Sequence, residues 1–222
     1  MSFTLYMVRH GQTFLNKYNR LQGWADSPLT PKGIEDAHSA GRRLSHINFD
    51  YAMHSDTTRA MNTCRYILEE NVASNNLNPT EIRNFREQSF GYFEGNDASQ
   101  VWTILGAKHG FRSYNEILEN FGLGATRDMM NEADPFNDAE TDEQYWHRIN
   151  VGFDYLRNHI EDGKNVLLVS HSITIRSIVD RFAPELGANV LGPRNGAVTK
   201  LIIDDDTVKV EYYNHHTDDV EY

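Results

Sequence analysis

Residues 4–11 read TLYMVRHG. An apolar run meets Arg9 and His10, and Gly11 breaks the pattern at once. A short apolar stretch with β-branched and aromatic members, closed by a glycine, reads as a buried strand over 4–8. Such a strand delivers a guanidinium and an imidazole side by side at its carboxyl end. Open α/β sheets bind their ligands there, so the question is whether the rest of the chain builds such a sheet.

The pattern continues in that sense. Thr30-Pro31 predicts a helix start, with a hydroxyl at the N-cap and proline at the first helical position. Residues 49–54, FDYAMH, read as a second strand, and Ser55 or Asp56 as the cap of a following helix striped by Ala60, Met61, Cys64, Ile67 and Leu68. Thr141-Asp142-Glu143-Gln144 is a capping-box pattern. Residues 166–169, VLLV, suit a strand covered on both faces, followed by Ser170-His171-Ser172 and another helix. Residues 198–203 and 207–213 read as a hairpin around Asp204–Asp206, whose closely spaced carboxylates suit a turn better than a calcium site. Residues 95–140 have poor periodicity and read as an inserted cap with one or two short helices. Phe111, Tyr114, Phe121 and Trp102 are expected to pack that cap. Alternating strands and helices predict an α/β fold: a three-layer α/β/α sandwich with a mostly parallel central sheet, one domain over 1–222, and a cap insertion at about 95–140.

The chain has 222 residues, a net charge of −11 and one cysteine, Cys64. A disulfide within the chain is therefore excluded, and a reducing compartment is expected. The acidic balance argues against bulk binding to nucleic acid or an anionic membrane surface. With no membrane span or signal peptide evident, a soluble cytoplasmic protein is expected.

The predicted strand ends carry Arg9-His10, then His54-Ser55 with Arg59 one turn on, then His171. Two arginines and two histidines point to an oxyanion, most naturally phosphate: a guanidinium fork matches two phosphate oxygens and stays charged at any working pH. A neutral imidazole whose other nitrogen is tied to an acceptor can attack phosphorus. No HExxH or zinc-spaced Cys/His pattern is present, and arginines beside a cation would be unfavourable, so no metal is expected. G-x-S-x-G, Walker A and dinucleotide glycine patterns are also missing.

The motifs together resemble the histidine phosphatase superfamily, also called the phosphoglycerate mutase-like family. Residues 7–16, MVRHGQTFLN, resemble its R-H-G signature. Five further blocks follow in order: Arg20-Leu21-Gln22-Gly23; Asp26 through Thr30 with Gly33; Ser55 through Thr63 with Arg59-Ala60; Arg86-Glu87 through Gly95; and Val169-Ser170-His171 with Ile175-Arg176. Asn195 falls where a late asparagine often lies. The resemblance implies a three-layer α/β sandwich and a phosphohistidine reaction that needs no metal or other cofactor. His10 is implied as nucleophile, with Arg9, Arg59 and His171 completing the phosphate pocket and Glu87 donating the proton. Asn16, Gln22 and Gly23 are implied as secondary phosphate or substrate contacts.

Three departures stand out. Ser172 replaces the usual glycine after the second histidine and is counted with the substrate-binding residues. Cys64 replaces an alanine. The insert lacks the paired-arginine segment of true mutases, holding only isolated Lys108, Arg112 and Arg127, which favours a phosphomonoester hydrolase acting on a small phosphorylated metabolite. The alternatives are a cofactor-dependent phosphoglycerate mutase, or a phospho-ligand-binding protein without turnover. Asp56 reads as a helix cap, Glu94 as structural, His54 as ambiguous and the remaining histidines as surface or helix-face residues. A homodimer is the candidate assembly, with no nucleic-acid or membrane partner.

Overall fold

The computed structural model describes residues 1–75 and 77–222. Its centre is β1 (Ser2–Arg9), which runs parallel to β4 (Asn165–Ser170) with Val8 opposite Val169 and Arg9 opposite Ser170. The far edge of β4 pairs in parallel with β2 (Tyr51–His54), and β2 with the two-residue β3 (Thr80–Glu81). On the other side β5 (Val198–Asp204) and β6 (Val208–His215) form an antiparallel hairpin against β1. The order is β3-β2-β4-β1-β5-β6. The sheet is therefore parallel through its four strands nearest the predicted pocket and antiparallel at one edge.

Side-chain alternation explains the layers. Leu5, Met7, Val166 and Leu168 face one side, against α6 (Asp142–His159) and α7 (Ser172–Phe182). Tyr6, Val8, Leu167 and Val169 face the other, against α2 (Pro31–Arg43) and α3 (Thr58–Glu70). Both faces are covered, which is why these strands read as unbroken apolar runs. Burying each such large aliphatic side chain contributes about 1.5–3 kcal/mol. The predicted three-layer α/β architecture is the observed one.

Several local expectations change. The N-cap of α3 is Thr57, whose hydroxyl accepts from the Ala60 N–H; the Asp56 carboxylate is taken instead by a two-pronged pair with Arg86. A one-turn helix α1 (Phe14–Lys17) follows the R-H-G turn, capped by Thr13 and Asn16. The cap holds α4 (Ala98–Gly106) and a 20-residue α5 (Tyr114–Ala133), longer than expected and kinked at Gly122, whose φ is 76°. That left-handed glycine breaks the helical period and hides the helix in the sequence. The cap has its own apolar cluster, in which Trp102, Leu105, Ile117 and Met130 pack on Phe90 and Phe93. Among the described residues, no helix is long and apolar enough to cross a membrane.

Candidate active site

The β1–β4 register brings His10 and His171 together just beyond the strand ends. The His10 N–H donates to the Ser170 carbonyl at 3.0 Å, and the two imidazole centroids lie 5.1 Å apart. Gly11 is required at the turn: a Cβ there would lie 2.0 Å from the Gly33 carbonyl oxygen.

Each tautomer follows from its neighbours, because carbonyls only accept and guanidinium groups only donate. His10 Nδ1 donates to the Gly11 carbonyl at 2.8 Å, so Nε2 carries the lone pair. Arg59 Nε donates to that lone pair at 3.3 Å. Arg59 Nη2 donates to His171 Nδ1 at 3.2 Å, so His171 carries its proton on Nε2, which donates to the Ser55 hydroxyl at 2.6 Å. The guanidinium thus lies between two imidazole lone pairs. Both histidines are held well below the ordinary value of 6.5, first by burial and then by Arg59. Both are neutral at working pH.

Arg59 is itself fully buried and held by its remaining N–H groups: Nη2 donates to the Gly23 carbonyl at 2.7 Å, and Nη1 to the Ala25 carbonyl at 2.8 Å and Asp26 Oδ1 at 3.0 Å. Asp26 is its ion-pair partner. Gln22 also lies against Arg59: with its amide oxygen turned inward it sits 3.0 Å from Nε and Nη1, sharing N–H groups that also point to His10, Ala25 and Asp26. Gly23 leaves room for no side chain, since a Cβ would lie 2.0 Å from the Gln88 carbonyl oxygen. Its N–H is spent on Glu94 Oε2. Glu94 also gathers the N–H groups of Trp24, Ala25 and Phe90, a structural use.

Glu87 is buried against the start of α7. His171 stands at the N-cap without a side-chain capping bond. Glu87 fills that role: Oε2 accepts from the Ile173 N–H at 2.9 Å, and Oε1 from the Thr174 N–H at 3.0 Å, the Thr174 hydroxyl at 3.1 Å and its neighbour Gln88 N–H at 3.1 Å. Burial raises its pKa against the pull of those donors and of Arg59. Oε1 is crowded by donors while Oε2 has one, so Oε2 is the oxygen free to carry a proton. The Glu87 backbone is clamped by Trp24 Nε1 and Arg148 Nη2 on its carbonyl.

The other expected residues take graded positions. Arg9 donates to the Pro193 carbonyl through Nη1 at 2.6 Å, and its Nε has no partner. Asn16 caps α1, accepting from the Thr13 N–H through Oδ1; its Nδ2 makes no hydrogen bond among the described residues. Ser172 opens α7 near Gly192 and makes no side-chain hydrogen bond among the described residues. Asn195 Nδ2 donates to the His10 carbonyl at 2.9 Å. His54 is buried with Nδ1 donating to the Ser55 carbonyl, apart from the histidine pair. Sequence reasoning missed three supports: Asp26, which its own D-S-P-L-T block signalled, and Ser55 and Thr174, whose hydroxyls carried no signal of their use here. Among the described residues no group of three or more His, Cys, Asp or Glu is placed to hold a metal ion.

The arrangement can bind a tetrahedral anion between guanidinium groups, attack it with a neutral imidazole and supply a proton from a carboxyl group. The chain is similar to several known proteins. A 2,3-bisphosphoglycerate-dependent phosphoglycerate mutase of Actinobacillus succinogenes is 28% identical, over 93% of this chain and 96% of its own. The crystal structure of a phosphoglycerate mutase from Bacillus anthracis superposes with a TM-score of 0.89 at 34% identity, covering 97% of this chain and 94% of that one. A putative α-ribazole-5′-P phosphatase from Escherichia coli shares the fold at a TM-score of 0.70 and 20% identity, covering 99% of each chain. The family model for the histidine phosphatase superfamily, branch 1, matches residues 5–216. With nearly its whole length inside that match, the chain belongs to the histidine phosphatase superfamily.

Proposed function

We propose that this chain transfers phosphoryl groups through a phosphohistidine at His10, working as a 2,3-bisphosphoglycerate-dependent phosphoglycerate mutase. The observation that carries the transfer chemistry is the His10 tautomer: Nδ1 tied to the Gly11 carbonyl, Nε2 bearing a lone pair beside a buried guanidinium. The mutase direction is supported by the curated relatives' names and by the 34% identity to a solved mutase. It revises the preference for hydrolysis drawn from the insert.

In this reading His10 Nε2 attacks phosphorus of the primer or substrate, and the bond from phosphorus to the ester oxygen breaks. The departing alkoxide takes its proton from Glu87 Oε2. Glu87 then removes the proton of the acceptor hydroxyl as that oxygen takes the phosphoryl group back from His10. Arg9 and Arg59 balance the charge on the equatorial oxygens, stabilisation that counts most in a dry site. For His171 to donate to the phosphoryl group its proton must move to Nδ1. Ser55 permits this, since a hydroxyl can donate to Nε2 as readily as accept from it.

Hydrolysis, with water as the acceptor, is the second reading, and the cap favours it. Arg127 is buried and committed to Gln88, Asp142 and Ser177, while Lys108 and Arg112 lie exposed. The test is 3-phosphoglycerate with and without 2,3-bisphosphoglycerate, in EDTA, for wild type and His10→Ala. Primed formation of 2-phosphoglycerate that vanishes in the variant supports the mutase. Phosphate release without isomer supports the hydrolase, and loss of activity in EDTA overturns both. A cytoplasmic setting suits either substrate.

A further inference from the structure

A cavity of about 510 Å³ lies behind Arg9, between α2 and the 192–195 segment. Arg9, Arg43, Arg194, Ser39, Asn195 and His216 line it, and His10, Arg59, His171 and Glu87 do not. Its volume lies within the roughly 300–1,000 Å³ typical of small-molecule sites.

Its charge is one-sided once pairings are counted. Two carboxylates line it, but Asp36 holds Lys32 at 2.7 Å and the Gln12 N–H at 3.2 Å, and Glu35 holds Arg42 at 2.5 Å. Among the described residues no carboxylate forms an ion pair with Arg9, Arg43 or Arg194. Arg43 is fixed by Ser39 Oγ and the Gly196 carbonyl through its terminal nitrogens. Only three buried side-chain polar atoms lack a hydrogen-bond partner among the described residues, and two are Arg9 Nε and Arg43 Nε. Buried polar groups are rarely left unmatched, and each exception calls for a cause. Both Nε atoms are closed off from the cavity and are not themselves contact points; what favours an anion is that Arg9, Arg43 and Arg194 line one cavity with no carboxylate paired to any of them, on a chain of net charge −11.

We propose that this cavity is a second anion site for a tetrahedral oxyanion, supplied by free phosphate or by the phosphoryl end of a small phosphoester. It is separate from the His10 pocket but shares Arg9 with it. Its wall also holds the pocket in place: the Pro193 carbonyl accepts from Arg9, and Asn195 donates to the His10 carbonyl. An anion here competes for Arg9 and steadies that segment, so the two sites are coupled, each altering the other's affinity by the same factor.

Equilibrium dialysis with labelled inorganic phosphate tests this on the full chain, comparing wild type with Arg194→Ala and Arg43→Met. Arg194 is exposed and its side chain makes no hydrogen bond among the described residues, so its removal does not threaten folding. Loss of one charge-assisted contact should weaken one class of phosphate site by about 10–100-fold. The site is confirmed if Arg194→Ala weakens one class while His10-dependent turnover persists. Unchanged stoichiometry and affinity in both variants overturn it, whatever reaction the His10 pocket performs. Competition by glycerol 1-phosphate, in the His10→Ala background so that it is not consumed, separates the sources: displacement from the Arg194-dependent site assigns it to phosphoesters, and no displacement assigns it to free phosphate.

Discussion

The strand-end pocket and the cap are built on opposite principles. In the pocket, residues from positions as distant as 10, 59, 87 and 171 meet because strand register and helix starts place them. Their buried polar atoms answer one another closely, down to tautomers. In the cap, neighbouring segments collapse on a small apolar cluster, with exposed polar residues outside and a kink at Gly122. The first region is over-determined and suited to fixed chemistry. The second is a minor core whose composition can change without disturbing the sheet, which suits substrate choice. Substitutions in each should therefore have different signatures.

The largest effect should come from His10→Ala. Removing a nucleophile from a cooperating set costs about 10⁴–10⁶-fold in kcat, measured as isomer formation or phosphate release. Activity within tenfold of wild type would break the assignment. Glu87→Gln should cost about 10²–10⁴-fold. The amide oxygen can keep the donors gathered on Oε1, but its NH2 then faces the Ile173 N–H, so one cap bond of α7 is lost and the thermal midpoint should fall only modestly. A large fall in that midpoint would instead make Glu87 mainly a structural carboxylate. Arg59→Met should lower kcat by about 10²–10³-fold, as expected for loss of one aimed cationic donor. It should also raise the pKa of His171, since the next-largest influence after burial is gone; an NMR titration reads this directly.

Legibility followed the same division. The central parallel strands β1 and β4 were readable because both faces are buried, leaving the continuous runs TLYMV and VLLV, whereas the two exposed residues of β3 left no such run. The arginines and histidines of the pocket were readable because each closes such a run or opens the next helix: Arg9-His10 at the end of β1, Arg59 in the first turn of α3, His171 before α7. Glu87, in a loop, was readable only through its Arg86-Glu87 block. What the sequence did not show was the supporting geometry. Thr174 is an ordinary helical threonine until the fold places its N–H and hydroxyl on Glu87. Asp56 looked like a cap because nothing local reveals that Arg86, thirty residues on, will claim it. In the cap, α5 was hidden because a left-handed glycine resets its period midway, and its buried Arg127 reads as a surface cation until Asp142 and Ser177 arrive from other elements.

Trp102→Ala sharpens the contrast from the cap side. Trp102 is buried, with its ring 4.4 Å from that of Tyr114. Emptying such a site costs about 3–5 kcal/mol. The loss should be local: hydrogen-exchange protection falls in α4 and α5 and holds in β1 and β4. KM for the physiological substrate should rise, while kcat on a generic aryl phosphate stays within a few-fold. Equal loss of protection in β1 would show that cap and sheet unfold as one.

The smallest effect is the pH dependence of stability, and its sign tests the pocket's electrostatics. His10 and His171 are depressed below 6.5 when folded, because a charged imidazole would be desolvated and set beside Arg59. As pH falls below 6.5 the unfolded chain takes up protons that the folded pocket refuses, so stability is lost from that point downward. Glu87 acts the other way. Its folded pKa is raised above 4.5, so its contribution is complete at low pH and disappears as pH rises through the folded value. Two groups outweigh one, and the effect of the imidazoles begins at higher pH. The thermal midpoint should therefore fall between pH 7 and pH 5. A His10→Gln/His171→Gln double variant should flatten that slope, while Glu87→Gln should steepen it at the acid end. A slope that survives the double variant would place the acid sensitivity elsewhere, and the neutral pair around Arg59 would lose its electrostatic support.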